Sequence, residues 1–322
     1  MRLNPVLERM PVLILSPHNR CNCRCVMCDI WKIADAREMS AEDLERHVAG
    51  IEGLGVEWAV FTGGEPLMHS DLFTLCGTLR RRGIRVSVLT TGLLLARNAR
   101  AVAQNVDDLI VSLDGPAEVH DRVRRVAGAF AQLRAGVRAV REIRPDFRVT
   151  ARSTVQRMNC AHLRATVAAA SEIGLNGISF LAADLTSTAF NRPNGWALER
   201  SSGIALTAED LTALESEIEG LIVSGECGGF VAESPAKLRK IVNRFRGDAV
   251  APDCNAPWVS AVVEADGVVR PCFFHPPVGQ VDGSHTLLDV INGKRAVAFR
   301  AALDVPSNPV CRRCVCSLNW KQ

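Results

Sequence analysis

The chain has no tyrosine, no strong excess of either charge, and no apolar stretch approaching the length of a membrane span. Each absence removes a class of function. In 322 residues, 38 Lys and Arg stand against 35 Asp and Glu, a formal net charge of +3. No field of that size draws nucleic acid or an anionic bilayer. The arginines at 80–82 and at 122, 124 and 125 fall in helical stretches and read as solvated faces. The apolar run nearest the N-terminus, Val12–Leu15, is too short for a signal-peptide core or a span, so a cytoplasmic location is expected. No internal repeat or low-complexity segment is present. The missing tyrosine decides nothing about chemistry.

What is abundant is cysteine, with twelve residues in a chain whose hydrophobic content of 48% supports a substantial core. In a reducing compartment, clustered cysteines argue for metal or redox chemistry rather than structural disulfides. The length allows a barrel-sized domain and a small second one.

Short apolar runs alternate with amphipathic helical stretches through the first two thirds. The strand candidates are 12–16, 58–62, 85–90, 109–114, 147–155 and 177–181, with helices near 41–53, 70–82, 95–104, 119–141 and 161–173. Nearly continuous apolar strands separated by helices imply a parallel sheet covered by helices. Six such units predict an α/β fold, a partial (β/α)6 TIM-type barrel, with chemistry at the carboxyl ends of its strands. Residues 183–206 break the rhythm with the turn formers Asn191–Pro193 and Asn194–Gly195 beside Phe190 and Trp196. They read as a long loop at the open end, placed to cover a substrate. After a helix at about 207–224, residues 226–250 supply a connecting helix. From 251 to 322, Ala265–Asp266–Gly267 between apolar runs marks a hairpin in a small cysteine-rich module.

Cys21, Cys25 and Cys28 follow the first strand with three and then two residues between them. Three thiolates on one loop can hold three irons of a [4Fe–4S] cube, leaving the fourth open to a small chelating molecule. A zinc site is the alternative, with His18 or Cys23 as the fourth ligand. Near the other end, Cys254 and Cys272 bracket the hairpin, and Cys311 and Cys314 form a Cys-x2-Cys pair. Cys23, Cys76, Cys160, Cys227 and Cys316 remain; Cys76 lies in an apolar helical pattern and reads as core.

The segment CNCRCVMCDIW resembles the cluster loop of the radical S-adenosylmethionine (SAM) superfamily. Thr62-Gly63-Gly64-Glu65-Pro66, Thr90-Thr91-Gly92, Ser112-Leu113-Asp114-Gly115, His120-Asp121 and Gly128-Ala129-Phe130 follow in matching order, so the resemblance covers nearly the whole chain. It departs at Met27, where an aromatic residue is common, and at Thr91, where Asn often precedes the glycine. The resemblance implies that the open iron chelates the amino and carboxylate groups of SAM. Gly63 and Gly64 then admit the methionyl amine and Glu65 offers an acceptor. Thr91, Ser112, Asp114 and Ser153 bond ribose or carboxylate, while Met27 and Leu181 pack near the adenine. For Ser112, Asp114 and Ser153 the competing reading is an ordinary turn or helix cap.

The C-terminal module resembles the twitch module, a shortened SPASM domain, with Leu287–Asn292 and Ala296–Arg300 as its connecting helix. This implies one auxiliary [4Fe–4S] cluster on Cys254, Cys272, Cys311 and Cys314; a four-thiolate zinc site has the same spacing. Cys160 and Cys316 are candidate hydrogen donors to a substrate radical, against the plainer reading of packing thiols. His275, Asn255, Trp196 and Glu264 are candidates to face a ligand. The resemblance further implies an external one-electron donor such as flavodoxin or ferredoxin. Cys21 lies so near the N-terminus that neither a cobalamin-binding nor a leader-recognition domain is expected before the barrel. The first expectation is dehydrogenation or epimerisation of a polar small molecule, sugar-like or aminocyclitol-like. Peptide modification and a non-catalytic iron–sulfur electron carrier or sensor are the alternatives.

Overall fold

A computed structural model describes residues 4–192, 195–248, 252–282, 284–316 and 318–320. Part of the expected 191–195 turn and the domain boundary at 250/251 lie outside the described residues.

Six strands, β1 (Val12–Ser16), β2 (Trp58–Phe61), β3 (Arg85–Thr90), β4 (Asp108–Ser112), β5 (Arg148–Val155) and β6 (Ile178–Ala182), pair in parallel in chain order. The crossovers are α1 (Ala41–Gly53), α2 (Leu72–Arg80), α3 (Leu95–Asn105), α4 (Ala117–Arg124), α5 (Ala129–Ile143) and α6 (Leu163–Glu172). Ser40 and Asp43 close a capping box that starts α1 where the sequence places it. The helix expected at 119–141 is two helices. Arg125 adopts a left-handed conformation (φ 54°), and the Asp121 carboxylate accepts from the Gly128 and Phe130 amides to start α5.

Strand alternation decides which side chains reach the chemistry. On β5, Val149, Ala151, Ser153 and Val155 are buried toward the helices, while Arg152 and Thr154 face the lumen. The segment after β6 carries a short helix α7 (Leu198–Ser202), followed by α8 (Ala208–Val223) and α9 (Pro235–Arg246).

The C-terminal hairpin is not a module beside the barrel but an extension of its sheet. β7 (Ser260–Glu264) pairs in parallel with β1, Val12 opposite Ser260, and then carries the antiparallel strands β8 (Val268–Arg270) and β9 (Gly279–Gln280). Ser260–Val263 are all buried, the pattern of a strand covered on both faces rather than of an alternating hairpin arm. Among the described residues no helix is long and apolar enough to cross a membrane.

Candidate active site

The loop carrying Cys21, Cys25 and Cys28 is pinned from several directions by backbone hydrogen bonds. The Gly64 and Glu65 amides donate to the carbonyls of His18 and Arg20 (3.2 and 2.8 Å), and the Arg24 and Val26 amides donate to those of Arg124 and Val123. Gly64 must be glycine here, because a Cβ would lie 1.8 Å from the Arg20 carbonyl oxygen. Gly63 sits at φ +109°, and a Cβ there would lie 2.5 Å from the His18 carbonyl oxygen, which doubly excludes a side chain.

Cys21, Cys25 and Cys28 line one cavity of about 230 Å³, together with Met27, Gly63, Gly64, Thr91, Ser112 and Leu181. Cys23 turns away, buried between Cys21 and Cys25. Its thiol, hydrogen-bonded to Cys25, is the main cause that lowers the Cys25 thiol to about 6, and Arg124 adds to it against the effect of burial. Burial pushes Cys28 up to about 12.

Three expected cofactor contacts do other work. Glu65 is fully buried and its oxygens are consumed by the Thr90 hydroxyl (2.6 Å), the Thr91 amide (2.6 Å) and the Leu67 amide (3.0 Å). It braces the ends of β2 and β3, and burial raises its pKa. Asp114 is also fully buried. It pairs with Arg124 at 2.5 Å and accepts from the Thr154 amide at 2.9 Å, and Arg124 in turn donates to Cys25 Sγ at 3.5 Å. Ser153 lies on the helix side of β5, outside the cavity. Short polar side chains at strand ends do not reveal which face they take until the register is known, and no residue pattern marks Arg124.

The 183–206 segment is folded onto the cluster loop. The Asp29 carboxylate accepts from Trp196 Nε1 and Arg200, and its backbone carbonyl accepts from Asn191. Buried Arg192 pairs with Asp184 and stacks between Phe190 and Trp196, which gives the segment a small core of its own. Phe190 and Asp184 reach the cavity wall. Trp196 is thus a latch rather than a ligand contact.

Cys254, Cys272, Cys311, Cys314 and Cys316 line a second cavity, also of about 230 Å³. His275 Nε2 lies 3.3 Å from Cys311 Sγ, and burial raises Cys272 to about 11 and Cys311 to about 12. Asn255 is spent on the Trp320 backbone and Glu264 on Arg270. Cys160 lines neither cavity; its buried thiol donates to the Arg157 carbonyl. The two cavities share Thr62, Leu89, Ile110, Arg152, Leu181 and Val315, so one lumen joins both thiol sets.

The donor chemistry fits iron–sulfur clusters. Each set is built of thiols facing a common space, the soft donors that such clusters take. A parallel barrel with three thiols at the mouth of β1 and a second set across its lumen defines an iron–sulfur enzyme that takes a small chelating cofactor at the first site.

The chain belongs to the radical SAM superfamily: residues 15–167 match the Radical SAM model and residues 254–315 match SPASM, an iron–sulfur cluster-binding domain. Its cofactors are a [4Fe–4S] cluster, SAM and auxiliary iron–sulfur. It is 31% identical over 159 residues to an AdoMet-dependent heme synthase of Methanosarcina barkeri (strain Fusaro / DSM 804), covering 48% of this chain but only 45% of that protein. The PqqA peptide cyclase of Ruegeria pomeroyi (strain ATCC 700808 / DSM 15171 / DSS-3) is 26% identical over 269 residues, 79% of this chain and 65% of the relative. Streptococcus suis SuiB bound to S-adenosylmethionine shares the fold, with a TM-score of 0.70 at 15% identity, over 98% of this chain and 74% of that one.

Proposed function

We propose that this radical SAM enzyme removes hydrogen from a carbon of a small polar molecule held in the lumen between the two thiol sets, in a dehydrogenation. The observation that carries this reading is the wall the two cavities share, which lets one bound molecule face both ends. When bound, the first cluster and SAM supply a 5′-deoxyadenosyl radical, and auxiliary iron–sulfur supplies a one-electron acceptor.

The chain's own residues do the rest. Cys21, Cys25 and Cys28 hold the first cluster, and Cys254, Cys272, Cys311 and Cys314 hold one auxiliary cluster. Met27, Gly63, Gly64, Thr91, Ser112 and Leu181 shape the cofactor's side of the lumen. Glu65, Asp114 and Arg124 position that wall without touching the reacting atoms. The Asp29 latch keeps Phe190 over the cavity and excludes water. Reducing equivalents enter from an external donor of flavodoxin or ferredoxin type.

The test is anaerobic turnover of cluster-loaded protein with SAM, a reductant and deuterated candidate substrates. Deuterium in 5′-deoxyadenosine and a product two hydrogens lighter support the reading. An isomer of unchanged mass points to epimerisation, for which Cys316 in the auxiliary cavity is the hydrogen donor to mutate. A second reading, peptide modification, is favoured by the PqqA peptide cyclase likeness across 79% of the chain. It predicts turnover only with a peptide.

A further inference from the structure

N–H groups surround the second thiol set. The Ala256 amide donates to Cys254 Sγ at 3.4 Å, and the amides of Phe274 and His275 bear on the Cys272 thiol. Each of these is a backbone group just beyond its cysteine, a contact that the local turn makes by itself. Cys311 is different. Its partner is a side chain 36 positions away, the His275 imidazole, with Nε2 at 3.3 Å from Sγ.

That imidazole is held in place independently of the sulfur. It is buried, and Phe299 of the helix Lys294–Ala302 packs edge-on against it with ring centroids 4.9 Å apart. Arg270, itself paired with Glu264, donates to the His275 carbonyl at 3.3 Å. On the other side, Asn308 Oδ1 accepts from the amides of Val310 and Cys311 and fixes the turn that carries the thiol. A thiolate bound to iron has no proton to give, so a hydrogen bond across this gap runs from Nε2–H to sulfur. Donors to cluster sulfurs stabilise the more negative, reduced level and so raise the reduction potential.

We infer that His275 sets the potential of the auxiliary cluster, its Nε2–H given to Cys311 making that cluster a better electron acceptor for the lumen. In the proposed dehydrogenation, the substrate radical left by hydrogen abstraction gives one electron to the auxiliary cluster and one proton to water, and a double bond forms at the attacked carbon. No bond to His275 is made or broken. His275 is a positioning residue that acts through Cys311 and does not touch substrate. This deepens the proposed function and rests on it for Cys311 as a cluster ligand.

The parent for the test is the full chain carrying Cys21→Ala, Cys25→Ala and Cys28→Ala, so that only the second set loads. Its midpoint is followed by electron paramagnetic resonance during a dithionite titration. His275→Phe keeps a ring against Phe299 and deletes the N–H. At the parent's midpoint it should raise the ratio of oxidised to reduced cluster about tenfold, a fall of about 59 mV for one electron. His275→Gln, whose amide reaches toward the same sulfur, should stay within about threefold of the parent. With histidine labelled by the heavy nitrogen isotope, the reduced parent should show a weak nitrogen coupling that the Phe variant loses. The coupling in the parent decides the matter even where the Phe variant does not load. An unchanged midpoint, an equal shift in both variants, or no coupling overturns the inference, as does a coupling strong enough to make His275 a ligand. Cys311→Ala in the same parent should lose at least about half of the bound iron. Full loading there means that the proposed ligation has failed, whereas a Cys311-dependent cluster with an unmoved midpoint fails His275 alone.

Discussion

The two thiol sets are assembled in opposite ways. The first is a single short loop whose backbone is hydrogen-bonded to the turn after β2 and to the end of α4, and which is latched from outside by the 183–206 segment. The second is gathered from distant parts of the chain, at 254, 272 and 311–316. It is tied mainly by Asn255 to the backbone at 318 and 320 and by His275 to Cys311. The first set is therefore preorganised by backbone packing, whereas the second depends on side chains and on the group they hold. A site that must leave one iron open to SAM needs the protein to fix the other three. On the ligation proposed for the second set, four thiolates let the cluster do the organising.

The largest effect should come from Gly64→Ala. A methyl group 1.8 Å from a carbonyl oxygen cannot be accommodated without moving the Arg20–Cys21 segment. In a background lacking Cys254 and Cys272, iron and sulfide bound at the first set should fall at least about tenfold, with the barrel's far-ultraviolet dichroism retained. Full loading would show that the backbone does not set this site.

Chelation of iron from the intact protein should separate the two regions next. Amide hydrogen exchange at 311–320 and around 272 should accelerate by about tenfold or more, while Arg24, Val26, Gly64 and Glu65 change by less than about threefold. Equal loss of protection in both regions would remove the distinction.

Sequence periodicity located the six strands β1 to β6 within two residues, because strands buried on both faces read as continuous apolar runs and the crossovers as amphipathic helices. Cysteine spacing likewise marked Cys21, Cys25 and Cys28, which share one cavity, and Cys254, Cys272, Cys311 and Cys314, which share the other; Cys316, which the spacing left outside that set, lines the second cavity too. What it left hidden was direction. Ser153 and Arg152 are neighbours, and only the register of β5 tells which one faces the lumen. Asp114 and Glu65 carry the right chemistry for ligand contacts, but their partners, Arg124 and Thr90, come from other elements. The parallel pairing of β7 with β1 was masked by a strong local hairpin signal at Asp266–Gly267, which is correct for β7 and β8 and silent about the strand on the other side. Arg192, buried in a polar loop, has no pattern to announce it.

The smallest effect is titratable and belongs to the first region alone. His120 is fully buried beneath Asp114, its Nδ1 accepting from the Asp114 amide at 3.2 Å and its ring edge-on to Phe130. Burial, helped by Arg124 and opposed by Asp114 and Asp121, lowers its pKa from 6.5 to about 4. The folded protein thus holds a neutral imidazole at pH values where the unfolded chain binds a proton. Stability is complete above about pH 6.5 and is lost as pH falls toward 4, by up to about 3 kcal/mol over that window. Protonation would also remove the acceptor that fixes the Asp114 backbone, so the loosening should begin at the Asp114–Arg124–Cys25 chain. Denaturant midpoints of wild type and His120→Gln, compared at each pH so that acid effects on the clusters cancel, should converge near pH 7 and diverge in the variant's favour below 6. If the two proteins lose stability in parallel, the acid sensitivity lies elsewhere and this end of the molecule is no more pH-dependent than the other.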